Sequence, residues 1–186
     1  MHARLSTLAE IEDARWRELL GAATDRHHAW RNAVLATVSM HDGEPAADAR
    51  NVVLREADAA ERQLVVYTDA RAAKAAQLRQ HPHGSLVMWS SELGWQLRCR
   101  VRLTIEDTGL AVSSRWERLK LSPAAQDYLS PLPPGTPLEA TPAALAQRAC
   151  FAVITAQVEA IDWLELHPDG HRRALFTGAT GRWLQP

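Results

Sequence analysis

The first residue able to do chemistry is an arginine in a β-branched run. Arg50 shares one face of a predicted strand with Val52 and Leu54, because side chains alternate along a strand. A guanidinium group on an otherwise apolar face requires an anionic partner. That partner can be a carboxylate of the protein or the phosphate of a ligand, or the arginine can lie at a sheet edge with its charge in water. These residues alone leave the alternatives open.

Two further cations, Arg71 and Lys74, lie at the start of an alanine-rich segment predicted to be a helix over residues 70–80. A spacing of three places both on one side of the first turn. The free N–H groups of a helix start favour a bound phosphate, and Thr68 could donate a hydroxyl to the same anion. Alternatively, Asp69 caps the helix and the two cations are solvated. Asp69 would also repel a phosphate placed too close.

A third basic feature lies in the segment from Trp95 to Leu103. A period of two places Gln96, Arg98, Arg100 and Arg102 on one face of this predicted strand. Three adjacent arginines repel one another, so we expect this face to meet an acidic partner, a ligand or a second subunit. A nucleic acid is disfavoured, because the net charge is −1 and no aromatic residue lies among the arginines for base stacking.

The elements that position these residues indicate a mostly β protein with inserted helices, arranged as an antiparallel barrel. A first helix is predicted from about Ser6 to Arg31, with a capping box at Thr7–Glu10. A helical segment over 107–128 is interrupted by Pro123, and a proline-rich loop covers 131–137. The predicted strands cover residues 33–40, 47–55, 63–69, 85–89, 95–105, 150–163, 172–177 and 182–184.

Length and composition limit the class of protein. A chain of 186 residues, 46% hydrophobic and 23% charged, is most simply one globular domain over residues 1–186. The first residues show no apolar leader pattern, and no run reaches the ~18 apolar residues that a membrane span needs, so we expect a cytoplasmic protein that does not bind membranes. Cys99 and Cys150 form no CxxC motif, and His81 and His83 lack a carboxylate at ligand spacing, so no metal site is predicted.

The order of these motifs resembles the pyridoxamine 5′-phosphate oxidase family, and within it the oxidase-related FMN-binding branch rather than the true oxidases. The matching motifs are Arg50–Arg55, Tyr67–Asp69, Thr68–Lys74, Lys74–Leu78, Trp89 and Gln96–Arg98, followed near the C-terminus by Asp162–Trp163, Gly170–Arg173 and Arg182–Leu184. Each motif alone is weak, but their order and spacing together are specific.

The resemblance implies an antiparallel split β-barrel and a homodimer with two FMN sites at the subunit interface. It implies that Arg50 and Lys74 hold the FMN phosphate, that the backbone from Asn51 to Leu54 runs beside the isoalloxazine ring, and that Gln96 reaches the flavin of the partner subunit. A dianionic phosphate suits bidentate arginine. The full implied FMN-binding set is Arg50, Asn51, Val52, Val53, Leu54, Arg55, Tyr67, Thr68, Arg71, Lys74, Gln96, Trp163 and Arg173.

The substrate half of the site departs from the family pattern. The true oxidases bind the substrate phosphate with a Tyr, an Arg and a Ser, and a gap-free alignment puts Trp116, Lys120 and Ala124 at these positions. Asp169 replaces the first arginine of the C-terminal substrate motif and would repel a phosphate. We therefore expect a flavin site without a pyridoxamine phosphate pocket. His171 is the one candidate substrate residue, and no catalytic residue is identified.

These observations predict an FMN-dependent oxidoreductase that acts on an unidentified small molecule, with the cofactor supplying the redox chemistry. An alternative is a non-catalytic flavin- or haem-binding module of the same fold, because one fold serves many functions. A third possibility is a barrel without a cofactor that uses its arginine face only for dimerisation.

Overall fold

A computed structural model describes residues 4–137, 139 and 150–186. Residues 1–3, which belong to the segment used to predict the absence of a leader, lie outside this set. The strands are β1 (Asn32–His41), β2 (Glu44–Asp58), β3 (Gln63–Asp69), β4 (His83–Ser90), β5 (Trp95–Glu106), β6 (Phe151–Glu165), β7 (Arg172–Thr177) and β8 (Thr180–Leu184). They form one antiparallel sheet in the order β3-β2-β1-β4-β5-β6-β7-β8.

The sheet closes on itself because β3 also pairs with β6. The N-terminal half of β6, Phe151 to Gln157, pairs with β3, whereas the C-terminal half, Ala160 to Glu165, pairs with β7. β5 pairs with both halves of β6, and the register shifts between Arg100 and Val101 of β5. One strand thus belongs to the closed ring at one end and to a hairpin extension at the other. The predicted antiparallel split barrel with inserted helices is confirmed.

The interior of the ring is apolar because its strands alternate. The side chains that β5 buries are Trp95, Leu97, Cys99, Val101 and Leu103. The three arginines of β5 are exposed on the other face, as the period of two predicts. A fully buried Leu side chain contributes roughly 1.5–3 kcal/mol to stability. Burial of these apolar side chains therefore determines which face of β5 points into the ring.

The helical elements are α1 (Leu8–Thr24), α2 (Ala73–Gln80), α3 (Leu110–Leu119) and 3-10 turns at Ala29–Arg31 and Pro123–Tyr128. The capping box between Thr7 and Glu10 is present, as predicted. The prediction of one helix as far as Arg31 is wrong, because Asp25 has an extended backbone and its carboxylate accepts the N–H of His27. The predicted interruption at Pro123 is confirmed.

Two apolar clusters hold the helices on the sheet. α1 buries Ile11 and Leu19 in the main core. α3 and the following 3-10 turn bury Val112, Leu119 and Tyr128 against Phe151 in a second cluster. Among the described residues, no helix is long and apolar enough to cross a membrane.

Candidate functional site

A pocket of about 300 Å³ lies between β2, β3 and the start of α2. We call it the Lys74 pocket. Its lining residues are Asn51, Val52, Val53, Arg55, Tyr67, Thr68, Asp69, Lys74, Asp127, Tyr128 and Pro134. Most of these residues from β2, β3 and α2 belong to the set predicted to hold FMN. Two separate motifs of the sequence therefore meet in one cavity.

Lys74 is the second residue of α2 and is partly buried. Burial, followed by the nearby charge of Arg50, lowers the pKa of Lys74, while Asp69 acts in the opposite direction. Within residues 4–137, 139 and 150–186, no carboxylate forms an ion pair with this ammonium group. No side chain caps α2, whose N-cap residue is Ala72. A cation and uncapped N–H groups at one helix start form a favourable place for a phosphate.

Arg71 is not on the first turn of the helix. α2 begins at Ala73, so Arg71 precedes it, and the predicted i,i+3 pairing with Lys74 is wrong. The Arg71 guanidinium lies 2.7 Å from Asp69 Oδ2 and donates to backbone carbonyls of residues 130–132. Asp69 does not cap α2 either, because Asp69 Oδ1 accepts the backbone N–H of Arg71. Arg71 neutralises Asp69 beside the pocket and attaches the proline-rich segment.

Arg50 has an anionic partner within the protein. Its Nη2 lies 2.5 Å from Asp48 Oδ2 and 3.0 Å from Gln77 Oε1. Its Nη1 donates to Thr37 Oγ1 at 2.5 Å. Arg50 is nonetheless close enough to Lys74 for its charge to lower the lysine's pKa. Of the partners considered for Arg50 from the sequence, the protein carboxylate is thus present in the structure. The contact between Arg50 and a phosphate remains a prediction.

Arg55 lies where a second pocket meets the first. Its guanidinium carbon lies 5.7 Å from the centroid of the Tyr67 ring, and its Nε is buried without a hydrogen-bond partner among the described residues. Leu54, the preceding residue, points into the main core. Arg55 and Tyr67 line both pockets and form the wall between them.

The second pocket, of about 320 Å³, has a basic lining. We call it the Arg118 pocket. Its lining residues are Arg55, Glu56, Tyr67, Arg115, Arg118, Leu119 and Ser122. Arg115 binds both carboxylate oxygens of Glu56, at 2.8 and 2.7 Å, and the Tyr67 hydroxyl donates to Glu56 Oε1 at 2.8 Å. Three arginines against one carboxylate leave the pocket positively charged.

Ionisation of the Glu56 cluster follows from these bonds. Partial burial opposes the charge on Glu56, but the hydrogen bonds from Arg115 and Tyr67 outweigh it and lower the pKa of Glu56. Burial and the bond to Glu56 raise the pKa of Tyr67 to about 12, so the phenol keeps its proton. Glu56 therefore balances Arg115, while Arg118 forms no ion pair among the described residues. The charge left for a ligand lies on Arg118 and Arg55.

The basic lining of the Arg118 pocket was not predicted from the sequence. The gap-free alignment selected Trp116, Lys120 and Ala124, but Trp116 and Ala124 pack on the second apolar cluster and Lys120 pairs with Glu117. The available signal was the spacing of Arg115 and Arg118. A step of three residues brings two side chains to one side of a helix.

Six predicted flavin residues do not line the Lys74 pocket of their own chain. They are Arg50, Leu54 and Arg71, described above, and Gln96, Trp163 and Arg173. Gln96 lies on the outer face of β5, paired in register with Leu164. Trp163 is fully buried in the main core, with its ring 5.4 Å from that of Trp95. Arg173 binds Asp162 through both oxygens, at 2.9 and 2.6 Å. Trp163 therefore acts as a core residue in this structure.

His171, the candidate substrate residue, is exposed in the turn before β7. Its Nδ1 accepts the backbone N–H of His167 at 3.1 Å. It lines neither the Lys74 pocket nor the Arg118 pocket. Among the described residues, no group of three or more His, Cys, Asp or Glu side chains could hold a metal ion.

Comparison with known proteins identifies the family. The family model described as "Pyridoxamine 5′-phosphate oxidase, FMN-binding domain" matches residues 13–107. The chain belongs to this family. A curated relative, the pyridoxine/pyridoxamine 5′-phosphate oxidase of Thermosynechococcus vestitus, is 45% identical over 64 residues, which are 34% of this chain and 28% of that protein. The match thus spans less than a third of the relative's length.

Solved structures share the fold of this pyridoxamine 5′-phosphate oxidase family member. An FMN-binding, oxidase-related protein from Nostoc punctiforme superposes with a TM-score of 0.73 at 23% identity, covering 99% of this chain and 100% of that one. PhzG from Burkholderia lata, solved with tetrahydrophenazine-1-carboxylic acid, gives a TM-score of 0.73 at 16% identity, covering 98% of each chain. At these identities the likeness establishes the fold alone.

The chemistry of the Lys74 pocket fits FMN, the cofactor given in the description of the family. Lys74 and the uncapped start of α2 suit a phosphate dianion. The backbone of β2 from Asn51 to Val53 offers N–H and C=O groups to a ring with several acceptors. The buried, unpaired Nε of Arg55 requires an acceptor, which a flavin ring or a substrate can supply.

Proposed function

We propose that this protein binds FMN in the Lys74 pocket and uses it to oxidise or reduce a small molecule that carries an anionic group. The observation that carries the proposal is the pair of adjacent pockets that share Arg55 and Tyr67. One has residues suited to a phosphate and a flat ring, and the other has unpaired positive charge. When bound, FMN supplies hydride transfer at its ring.

In this proposal the residues around the Lys74 pocket bind and orient the cofactor. Lys74 and Arg50 hold the phosphate, with the Thr68 hydroxyl as an additional donor, and the backbone of Asn51 to Leu54 lies along the ring. Arg71 contributes indirectly, because it neutralises the Asp69 carboxylate that would otherwise repel the phosphate. Trp163 is left out of the proposed site because its side chain is in the core.

The Arg118 pocket binds the substrate through its negative charge. Arg118 and Arg55 attract the anion, and the Ser122 hydroxyl can donate to it. Arg115 is held by Glu56 and gives the pocket its shape rather than free charge. The ligand in the PhzG structure is a carboxylic acid, which is the kind of anion that such a pocket suits.

We also propose that residues 1–186 form one domain and that the protein is a homodimer. The supporting feature is the outer face of β1, β4 and β5, where Val34 and Trp89 are exposed. Beside them, Arg98 and Arg100 line a depression of about 260 Å³ together with Asp162. A mixed apolar and charged surface of this kind suits a subunit interface. Gln96 and Arg173 would lie near the partner's flavin.

The alternative, a non-catalytic flavin- or haem-binding module, gains no support from the pockets. A module that only binds its cofactor has no need of a second, charged pocket that shares a wall with the cofactor pocket. The Arg118 pocket therefore favours the enzyme, and the choice is open to direct measurement.

The test is the visible absorption spectrum of the desalted protein, taken before and after incubation with FMN. We expect flavin bands that stay with the protein and that bleach anaerobically with NADH, NADPH or an anionic substrate. A colourless protein that takes up no FMN would contradict flavin binding and support a cofactor-free barrel. Bound FMN that no reductant bleaches would support the non-catalytic module.

A further inference from the structure

The surroundings of Arg50 form a closed hydrogen-bond network with a defined direction. Arg50 donates to the Thr37 hydroxyl, which donates to Gln77 Oε1 at 2.7 Å. Arg50 also donates directly to Gln77 Oε1. The amide nitrogen of Gln77 donates to Asp48 Oδ2 at 2.8 Å, and the same carboxylate oxygen pairs with Arg50. The Gln77 amide thus has its oxygen towards the cation and its nitrogen towards the anion.

In this network Asp48 is positioned as a counter-ion. It lies two residues before Arg50 on the same face of β2, because side chains alternate along a strand. The hydrogen bond from Gln77 is the largest influence that lowers the pKa of Asp48, and the charge of Arg50 adds to it. Asp48 is therefore ionised at neutral pH. Its side chain is 41% exposed, so it can move without opening the core.

A phosphate at Arg50 has to compete with this carboxylate. Both Nη atoms of Arg50 are already engaged by Asp48, Gln77 and Thr37. A guanidinium group binds a phosphate best when two parallel N–H groups are free. A phosphate dianion near an ionised carboxylate also meets like-charge repulsion.

We infer that Asp48 is a resident competitor for the phosphate site, which weakens FMN binding through Arg50 and lowers the preference for FMN over riboflavin. Gln77 is the positioning residue that holds the competitor in place. This inference rests on the proposed function, because it requires Arg50 to contact the FMN phosphate. Asp48 thus makes FMN binding weaker than the remaining residues would allow.

The experiment titrates FMN and riboflavin into the full-length protein and follows quenching of flavin fluorescence. Riboflavin lacks the phosphate, so it separates phosphate effects from ring effects. In Asp48→Asn we expect the Kd for FMN to fall about tenfold and that for riboflavin to stay unchanged. Glu44→Gln is the matched control, since it removes the same charge from an exposed position at the far end of β2 and leaves both Kd values unchanged.

A double variant tests whether Asp48 weakens FMN binding through Arg50. Adding Arg50→Ala to Asp48→Asn removes the gain in FMN affinity, because the competitor acts through Arg50. Asp48→Ser serves as a second neutral variant if the asparagine variant fails to fold, as judged by circular dichroism. The same fall in the Kd for FMN is expected from it.

Other outcomes overturn the inference. If the affinity for FMN is unchanged in Asp48→Asn, the carboxylate has no effect on phosphate binding. If the affinity is weaker, the carboxylate pre-organises Arg50 for the phosphate. Riboflavin affinity that rises by the same factor means that the effect lies at the ring. If the wild type binds neither flavin, the proposed function fails and the inference fails with it. Tight FMN binding with no change in the variants overturns the inference alone.

Discussion

The Lys74 pocket and the Arg118 pocket share a wall but are built in different ways. The Lys74 pocket uses strand backbone, a helix start and Lys74, whose charge has no carboxylate partner among the described residues. The Arg118 pocket uses long side chains of α3 that reach across to β2. Strand backbone and a helix start are positioned by main-chain hydrogen bonds, whereas the ends of long side chains depend on each neighbouring residue. The first kind of site is easier to preserve while the second changes.

The limits of the family match follow the same division. The match ends at residue 107, and α3 begins at Leu110. The cofactor half of the proposed site therefore draws on the part of the chain that matches the family model, apart from Asp127, Tyr128 and Pro134. The substrate half takes Arg115 and Arg118 from outside it. We expect variants in the two halves to affect different ligands.

The largest expected effect comes from Arg50→Ala. Losing a charge-assisted contact to the phosphate should weaken FMN binding at least ~100-fold, which corresponds to roughly 3 kcal/mol, while riboflavin binding changes little. Fluorescence titration measures both affinities, and circular dichroism checks that the fold remains. FMN affinity equal to that of the wild type would remove Arg50 from the proposed phosphate site.

A smaller effect is expected from Arg118→Ala. Binding of a probe anion, benzoate or inorganic phosphate, should weaken about tenfold, because the Arg118 side chain carries a charge that forms no ion pair with the described residues. Isothermal titration with the FMN-loaded protein measures this. The Kd for FMN should not change, and Lys120→Ala, directly after the same helix but paired with Glu117, is the matched control. If FMN and the probe both weaken, the two pockets are not separate.

The stability of the shared wall should depend on pH through Glu56. Its pKa in the folded protein lies below the ordinary value of 4.5, so the stabilisation is present above that pH and is lost as pH falls through the folded pKa. Glu56→Gln should lower the free energy of unfolding by about 1 kcal/mol at neutral pH, because this ion pair is partly exposed. Urea unfolding from pH 7 to pH 3 should show the two proteins converging. A constant difference would exclude the charge as its cause.

The smallest effect is expected from Tyr67→Phe. The substitution keeps the ring between the pockets and removes only the hydroxyl bond to Glu56. Stability should fall by about 0.5–1 kcal/mol, and the affinities for FMN and benzoate should each change less than about threefold. Thermal unfolding and the same titrations provide the measurements. A large loss of either ligand would give the hydroxyl a direct role in that pocket.

Much of the fold could be predicted because its patterns are local. The alternation around Leu97 and Val101 indicates which face of β5 is buried, and the order of strands with a helix after Asp69 is typical of one family. The clustering of Asn51, Tyr67 and Lys74 followed from that order. Each of these inferences depends on residues close together in sequence or on motifs in a fixed order.

The remaining features depend on contacts that no local pattern contains. Alanines over 70–80 predict a helix but not its first residue, which is set when Asp69 accepts the N–H of Arg71. Arg71 then meets carbonyls about sixty residues further on in the chain. Trp163 matches a family position, yet its burial depends on Trp95 and other core neighbours. Arg118 was missed because the gap-free alignment was carried past residue 107, where the family match ends.

The double pairing of β6 affects the order in which the protein can assemble. The ring closes when Gln63 to Asp69 meets Phe151 to Gln157, two segments that are far apart in the sequence. Such long-range pairing is slow to form, because the intervening chain loses its freedom before the contact is made. On a ribosome, β3 and β5 would wait with open edges until β6 emerged, and open edges favour aggregation. Expression yield should therefore be more sensitive to substitutions in β6 than to those in either pocket.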